Sequence, residues 1–445
     1  MQSHPDSSGK MMMQFNKMLH RAKSLLGQVK AQGFFHIIAS SSLVKVVSFI
    51  SAMFLPRLLA KGDFGLLTYV DNLRNYILLI NAIGISNATL RYVARADDDR
   101  LRKGYFLASL KIGILFDCIL IAITIAAFIL IRLPFDGAST LLISMSFLPL
   151  FVFLFEDIQL FLRASFENRK YSLLSFTYSF AMVALQIGMA YLWGLNGVVM
   201  ARYLAVILCI LLGVILFRQI KTFRVKPLMP DRNQMRGMVK FGLIILIANA
   251  TSLIMQLNET FIIGQVLKDK DALAEYKVAS YILTISLFIT QSVVIFIFPH
   301  FVRHMDDKAW VWSRFKKVFV YNAILMVPLH LGLILIAKPF IQIIFGQAYL
   351  NSVPIMQMLL VASLGQSLFR GITGNILAGI GEERFNLRIN IVFVILHVLI
   401  DIWAISNFGI TGAAIALTVI YFASGLVMVA HLRKVCLKEA RLTKN

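Results

Sequence analysis

Residues 112–131 read IGILFDCILIAITIAAFILI, a run that contains one charged side chain, Asp117. An α-helix needs about 20 mostly apolar residues to cross the hydrocarbon core of a bilayer, and this run reaches that length. Similar runs recur along the chain, in which 59% of the residues are hydrophobic and 15% are charged. A soluble domain usually carries about 25% charged residues. The chain is therefore predicted to be an all-α integral membrane protein.

The apolar runs predict twelve transmembrane helices. Their expected positions are 34–57, 65–90, 104–131, 138–162, 171–193, 197–218, 240–266, 277–301, 317–337, 352–379, 386–407 and 411–432. The N-terminal segment, the loops after even-numbered spans and the C-terminal tail hold most of the 44 Lys and Arg residues. By the positive-inside rule, both termini are predicted to be cytoplasmic. The net charge of +22 therefore reflects topology, and it does not indicate a nucleic-acid partner.

One short phrase occurs twice, half the chain apart. In WGLNGVVMARYLAV (193–206), Gly194 and Gly197 have the same spacing as Gly409 and Gly412 in FGITGAAIALTVIY (408–421). Gly194 and Gly409 are expected in tight turns before spans six and twelve, where a positive φ is needed. Gly197 and Gly412 begin small-xxx-small pairs that let helices approach closely. The repeat predicts two parallel-repeat lobes of six helices that face each other across a central cleft.

The repeat and the loops divide the chain into five regions. These are a cytoplasmic amphipathic N-terminal segment at 1–33, an N-lobe with helices 1–6 at 34–218, a basic cytoplasmic linker at 219–239, a C-lobe with helices 7–12 at 240–432, and a basic cytoplasmic tail at 433–445. The N-terminal segment is predicted to lie on the membrane surface, with a frayed cytoplasmic tail as the alternative.

Four stretches carry a family resemblance that covers the chain after residue 33. They are LLAKGDFGLLTYV (58–70), KFGLIILIANATSLIMQLNETFIIGQVL (240–267), AGIGEERFNLRINIVF (378–393) and FGITGAAIALTVIY (408–421). In their order and spacing the chain resembles the polysaccharide-transport branch of the multidrug/oligosaccharidyl-lipid/polysaccharide flippase superfamily, which includes O-antigen flippases.

This resemblance implies a V-shaped two-lobe transporter, and not an enzyme. Such a protein would move an undecaprenyl-diphosphate-linked oligosaccharide, an O-antigen or similar unit, from the cytoplasmic to the periplasmic leaflet of the bacterial inner membrane. The protein would act in polysaccharide or lipopolysaccharide biosynthesis. The lipid-linked oligosaccharide and membrane lipids are the expected partners, and binding of a polysaccharide polymerase or a chain-length regulator stays open.

Charged residues inside the predicted spans need a partner or a cavity, because each costs about 2.5–3.5 kcal/mol near the bilayer centre. Five of them are basic and could meet a diphosphate, for which Arg offers bidentate geometry and Lys a point charge. These substrate-binding candidates are Lys45, Arg74, Lys111, Arg202 and Arg370. We expect Lys45, Arg74 and Arg370 to form the headgroup site. In the alternatives, Arg74 pairs with Asp71 one turn away, while Lys111 and Arg202 extend to a membrane interface.

An acidic group is predicted in the C-lobe. Glu259, Asp401 and Thr418 lie at a similar depth in spans seven, eleven and twelve, roughly 10 Å inside, and His397 is one turn from Asp401. Two carboxylates and a hydroxyl could hold Na⁺ or share a proton. Some members of the superfamily carry a cation site on these three helices, which the positions resemble. The coupling ion stays open between Na⁺ and H⁺, and the alternative is a structural role for both acids.

Two other functions fit the sequence less well. A drug or cation exporter of the same fold would need a cleft dominated by acids and aromatic residues, whereas the N-lobe offers several cations. A membrane enzyme would need a sizeable loop with acid and base residues, and the longest loop, 219–239, contains one acid, Asp231. No glycine-rich phosphate loop precedes a lysine, so no ATP hydrolysis is indicated and no cofactor is expected.

Overall fold

The computed structural model describes residue 47, residues 49–50 and residues 52–442. The predicted amphipathic segment at 1–33 and the headgroup candidate Lys45 lie outside the described residues. Within them the protein is built of helices, which confirms the predicted all-α class.

The helices of the N-terminal half and the linker are α1 (Lys61–Leu79), α2 (Ile85–Arg95), α3 (Asp99–Leu130), α4 (Ala138–Ser144), α5 (Leu148–Ala164), α6 (Asn168–Phe217) and α7 (Lys221–Arg224). Those that follow are α8 (Arg232–Leu267), α9 (Lys270–Arg303), α10 (Lys308–Leu335), α11 (Ala337–Ile344), α12 (Ser352–Gly365), α13 (Gly371–Gly379) and α14 (Glu383–Leu442). A π-helical turn, Gln366–Arg370, joins α12 to α13.

Six helices of the described chain are long and apolar enough to cross a membrane, or seven if the bent pair of α1 and Asn81–Arg95 counts as one span. With 50 residues, α6 is long enough for two crossings, and so is α14 with 60 residues. The chain is a multi-pass membrane protein. Its helix order is compatible with the twelve predicted spans, and that count stays a prediction.

Both long helices break at the glycine of the repeated phrase. Gly194 has φ 55° and ψ −132° inside α6, and Gly409 has φ 61° and ψ −146° inside α14. Three residues later, a Cβ built on Gly197 would lie 1.8 Å from the carbonyl oxygen of Met189, and one on Gly412 would lie 2.0 Å from that of Ala404. The chain therefore folds back on itself at equivalent places in the two lobes, and only a glycine fits against the preceding backbone.

The second predicted span, 65–90, is broken within its length. The chain bends by 43° between α1 and α2, where Asn81–Gly84 forms a short 3₁₀ turn. Ala82 and Ile83 have φ 44° and 53°, values that cost energy for residues with a Cβ. The backbone N–H of Ala82 donates to Asp117 Oδ1 at 2.7 Å. A hydrogen bond to α3 thus stabilises the break between the two helices. The pattern of apolar residues in the sequence does not predict such a bond.

The lobes meet along α1 and α2 on one side and α8 and α9 on the other. At one end of this interface, Gly65 of α1 packs so closely on α9 that an added Cβ would lie 1.8 Å from the carbonyl oxygen of Lys270. Nearby, Lys61 Nζ donates to Glu275 Oε1 at 2.6 Å. The arrangement closes this end of the interface with backbone contact and one ion pair.

A tyrosine from the turn before α12 adds to the same closure. The hydroxyl of Tyr349 donates to the carbonyl oxygen of Pro56 at 3.2 Å, and Lys61 Nζ lies 5.9 Å from the centre of its ring. Burial, together with the nearby carboxylates of Asp271 and Glu275, raises the pKa of Tyr349. The hydroxyl therefore keeps its proton at any physiological pH and stays a donor to the N-lobe.

Candidate functional site

A basic cluster lies at the lobe interface and consists of Asp71, Arg74, Arg202 and Lys277. Arg202 of α6 clamps the Asp71 carboxylate with both terminal nitrogens, Nη1 on Oδ1 and Nη2 on Oδ2, the latter at 2.7 Å. Arg74 Nε lies 3.5 Å from Asp71 Oδ1, one turn along α1. The predicted pairing of Arg74 with Asp71 is present, and the stronger partner of Asp71 is Arg202.

Lys277 is the fourth member of this cluster and comes from the other lobe. It lies near the start of α9, where Asp71 is its electrostatic partner. Its ammonium group lies 5.4 Å from the centre of the Tyr281 ring, one turn further along the helix. Three basic side chains therefore surround one carboxylate, and the excess positive charge is drawn from both lobes.

An acidic cluster lies within the C-lobe and consists of Glu259, His397 and Asp401, with Asn258 and Tyr276 as hydrogen-bond donors. His397 Nε2 lies between the two acids, 3.4 Å from Glu259 Oε1 and 3.2 Å from Asp401 Oδ2. Asn258 Nδ2 donates to Asp401 Oδ2 at 3.1 Å, and the Tyr276 hydroxyl donates to Glu259 Oε2. Three titratable groups thus share one buried site.

The two clusters are neighbours, because the residues that form them are adjacent along the same helices. Asn72, next to Asp71, donates from Nδ2 to the carbonyl oxygen of Leu257 at 2.8 Å, and Leu257 precedes the Asn258–Glu259 pair. On α9, Tyr276 bonds to Glu259 while the next residue, Lys277, interacts with Asp71. A displacement of α9 would therefore change the contacts of both clusters.

A Na⁺ site at the acidic cluster stays a prediction, and the position of His397 favours a shared proton instead. The imidazole of His397 stands between the two carboxylates, where a shared Na⁺ would have to lie, and it offers nitrogen in place of the oxygen that hard cations prefer. The Thr418 hydroxyl donates to the carbonyl oxygens of Ala414, at 2.7 Å, and Met358, at 3.5 Å. Over the described part of the chain, no group of three or more His, Cys, Asp or Glu residues has the geometry to hold a metal.

Arg370 belongs with the acidic cluster and not with the other substrate-binding candidates. It ends the π-helical turn between α12 and α13, and it donates to Asn390 Oδ1 at 2.9 Å and to Ser424 Oγ at 3.2 Å. Its guanidinium lies 5.6 Å from the centre of the Tyr421 ring, and it interacts electrostatically with His397. The side chain thus bridges the last three predicted spans and supplies positive charge beside two acids.

Lys111 is set apart from both clusters. It is exposed on α3, on the face that also exposes Leu115 and Ile119, with 65% and 52% of their surface accessible. Such a face is the part of a membrane protein that meets lipid, so the side chain is placed to extend to the interface. Its expected contact with a headgroup in the cleft has no support from this position.

Sequence reasoning missed Lys277, Tyr276 and Asn258. Lys277 stands at the first residue of a predicted span, and it is not among the charged residues that the sequence placed inside the membrane. The available signal was Glu275-Tyr276-Lys277, in which an acid, a phenol and a base follow one another at the start of an apolar run. Asn258 carries no charge, and the only sign in the sequence that it could belong to the site is its position next to Glu259.

Comparison with protein families gives one match that covers more than half of the chain. Residues 54–354 match the family described as polysaccharide biosynthesis protein. A membrane protein of unknown function from Methanocaldococcus jannaschii is 28% identical over 52% of this chain and 46% of its own length. A probable low-salt glycan biosynthesis flippase of Haloferax volcanii is 24% identical over 35% of this chain and 33% of its own. The chain therefore spans less than half the length of these relatives.

Solved structures show the same fold at low sequence identity. A MATE family multidrug resistance transporter in its inward-facing conformation superposes with a TM-score of 0.69, 14% identity, and coverage of 89% of this chain and 96% of the other. The lipid II flippase MurJ in an inward closed conformation superposes with a TM-score of 0.67, 14% identity, and coverage of 88% and 87%. These two structures share one helical architecture, and the present chain has it too.

Proposed function

Because the chain belongs to the polysaccharide biosynthesis protein family, we propose that it is a flippase for a lipid-linked glycan. Its substrate would be an undecaprenyl-diphosphate-linked oligosaccharide, carried from the cytoplasmic to the periplasmic leaflet of a bacterial inner membrane. The termini would be cytoplasmic, as the distribution of Lys and Arg predicts. The match to a glycan biosynthesis flippase and the fold shared with MurJ support this proposal.

The basic cluster is the observation that carries the proposal. A diphosphate has several negatively charged oxygens, and the cluster offers Arg74, Arg202 and Lys277 around a single carboxylate. An anionic headgroup could replace Asp71 as the partner of Arg74 and Lys277, while Arg202 keeps its bidentate bond. Lys45, in the middle of the first predicted span, stays a sequence-based candidate for the same site. The glycan would follow the headgroup, and the prenyl chain would stay in lipid.

We further propose that protons drive the transport. His397 between two carboxylates can exchange a proton with either one without large movement, since its Nε2 lies within 3.4 Å of an oxygen of each. A change in the charge of Glu259 would alter its bond to Tyr276 and thereby move Lys277, the next residue on α9. Protonation in the C-lobe would in this way weaken or strengthen the hold of the basic cluster on the headgroup.

The decisive experiment uses the purified chain in liposomes with a fluorescent undecaprenyl-diphosphate oligosaccharide, under an imposed H⁺ gradient, an imposed Na⁺ gradient, or neither. We expect translocation that responds to H⁺. We also expect Lys277→Gln and Arg74→Gln each to slow translocation about tenfold or more, because each removes one charged partner of the headgroup. Lys338→Gln, an exposed lysine in α11, is the matched control and should behave as the unmodified chain.

Three outcomes would contradict the proposal in different ways. Unchanged flipping by folded Lys277→Gln would remove the basic cluster from the headgroup site. A response to Na⁺ alone would reject the proton. Uptake of a lipophilic cation without glycan translocation would identify the drug or cation exporter that has the same fold.

A further inference from the structure

A cavity of about 540 Å³ lies within the N-terminal half, away from both clusters. Side chains of α3, α5 and α6 form its walls, and α7 closes one end. Its lining includes Phe106, Leu110, Leu154, Ile210, Arg218 and Arg224. All of its lining residues come from these helices and the linker, so the cavity is separate from the substrate site at the lobe interface.

The walls are apolar and open toward the outer surface of the lobe. Val214 lines the cavity with 44% of its surface accessible, and its neighbours Leu211 and Ile215 on α6 are each 54% accessible. Within a bilayer this α6 face meets hydrocarbon chains. An apolar cavity that opens to lipid has a lipid chain as its natural occupant, because water would find no polar side chain along the walls that α3, α5 and α6 form.

Two arginines stand where the apolar walls end. Arg218 is the first residue after α6, and Arg224 is the last residue of α7. Both side chains are exposed, and neither guanidinium has an acidic partner within the part of the chain that the structure describes. A pair of cations above an apolar cavity matches a lipid whose headgroup carries negative charge.

The wall that carries these arginines is fixed to the lobe. Lys103 Nζ donates to the carbonyl oxygens of Phe223, at 2.8 Å, and Val225, at 2.9 Å. The Thr222 hydroxyl donates to Asp99 Oδ1 at 2.9 Å, and the rings of Phe217 and Phe223 stack with centres 4.2 Å apart. The cavity is therefore a preformed site, and α7 keeps its position over it.

We propose that this cavity binds one anionic phospholipid of the cytoplasmic leaflet, with an acyl chain between α3, α5 and α6 and its phosphate held by Arg218 and Arg224. Basic pockets between transmembrane helices on the cytoplasmic side are a known kind of site for anionic headgroups. The lipid would tie the start of the linker between the lobes to the membrane surface.

The test is lipid retention by the purified full chain, measured by native mass spectrometry in detergent with phosphatidylglycerol and phosphatidylcholine of identical acyl chains. We expect one phosphatidylglycerol to be retained in preference to phosphatidylcholine. The double variant R218Q/R224Q should bind phosphatidylglycerol about thirtyfold more weakly, because two arginines near the surface are lost. The double variant K221Q/K226Q removes the same charge from neighbouring positions without changing a lining residue, and it should bind as before.

A second variant tests the cavity itself. Leu110→Trp fills the space between the helices and should reduce retention of both lipids without altering the elution of the folded protein on size-exclusion chromatography. The proposal would be overturned if both double variants lost phosphatidylglycerol binding equally. It would also be overturned if R218Q/R224Q or folded Leu110→Trp retained lipid as the unmodified chain does. Displacement of phosphatidylglycerol by undecaprenyl phosphate at equal concentration would also overturn it, since the cavity would then be a waiting site for the substrate.

Discussion

Two consecutive residues, Tyr276 and Lys277, have different partners, and this gives the molecule a short route between its clusters. Tyr276 donates to an acid of the C-lobe, and Lys277 faces the Asp71 carboxylate of the N-lobe. In a helix, neighbouring side chains point about 100° apart, so one backbone segment can serve two sites. A small rotation of α9 would act on both partners together.

This geometry predicts that Tyr276→Phe uncouples transport from the proton gradient. The phenyl ring keeps the packing, while Glu259 loses the hydroxyl donor through which its charge reaches α9. In the liposome assay we expect translocation without a gradient to persist and its stimulation by an H⁺ gradient to disappear. Tyr321→Phe, at a position with 68% of its surface accessible, removes a hydroxyl elsewhere and serves as the control. Full stimulation of Tyr276→Phe would show that the coupling follows another route.

The sequence identified the acidic residues better than the basic ones, for a physical reason. Glu259, His397 and Asp401 lie deep within apolar runs, where helix rise alone places them at similar depths. Thr418 has the same depth, yet its hydroxyl bonds to a carbonyl of its own helix, as threonine in a helix often does. Arg370 was grouped with Arg74 by charge alone, and the π-helical turn that sets its direction has no recognisable sequence pattern.

At the scale of helices, the repeated glycines determine where the chain reverses. The doubled phrase was enough to locate both turns, because a left-handed residue and a close backbone contact each require glycine. The break in the second span had no such signal, since Ala82 and Ile83 adopt left-handed values without being glycine. A tertiary contact from Asp117 maintains that conformation, and only the folded structure reveals it.

The close contacts predict that Gly197→Ala and Gly412→Ala destabilise the protein similarly. Each new methyl group would meet a carbonyl oxygen of the preceding helix, which no rotamer change can relieve, and overpacking of this kind costs about 1–3 kcal/mol. Thermal unfolding in detergent, followed by tryptophan fluorescence, measures the effect. Gly188→Ala, where no atom lies within 4 Å of the built Cβ, should be neutral or stabilising. Equal unfolding temperatures for all three variants would contradict the close packing.

At the scale of the whole molecule, the lobes are closed at the end where α1 meets α9. The ion pair of Lys61 with Glu275 and the bond of Tyr349 to Pro56 connect the lobes there, and the carbonyl of Ile343 accepts a bond from Arg57. By the predicted topology this end is periplasmic, so the cleft would be open toward the cytoplasm, where the proposed substrate would enter. If the protein is the flippase that we propose, alternating access requires these contacts to break once per cycle.

This closure predicts that Lys61→Glu favours the periplasm-open state. Two like charges would face each other in place of the pair, and partly exposed pairs are worth about 0.2–1 kcal/mol, so the shift should be up to about fivefold. A cysteine placed at Tyr281 and a membrane-impermeant maleimide added from the periplasmic side report the opening. Labelling should rise in Lys61→Glu and return to its original level in the swap Lys61→Glu/Glu275→Lys. Labelling that stays high in the swap would show that the charge pair does not hold the lobes.

The matched turns at Gly194 and Gly409 bear on how far the two lobes can differ from each other. Each turn fixes how the last two helices of a lobe fold back, and it does so with backbone alone. The other side chains of each lobe are therefore free to differ without loss of the shared scaffold. The N-lobe supplies two of the three cations of the basic cluster, whereas all three titratable groups of the acidic cluster belong to the C-lobe, so a symmetric frame supports two unlike sites.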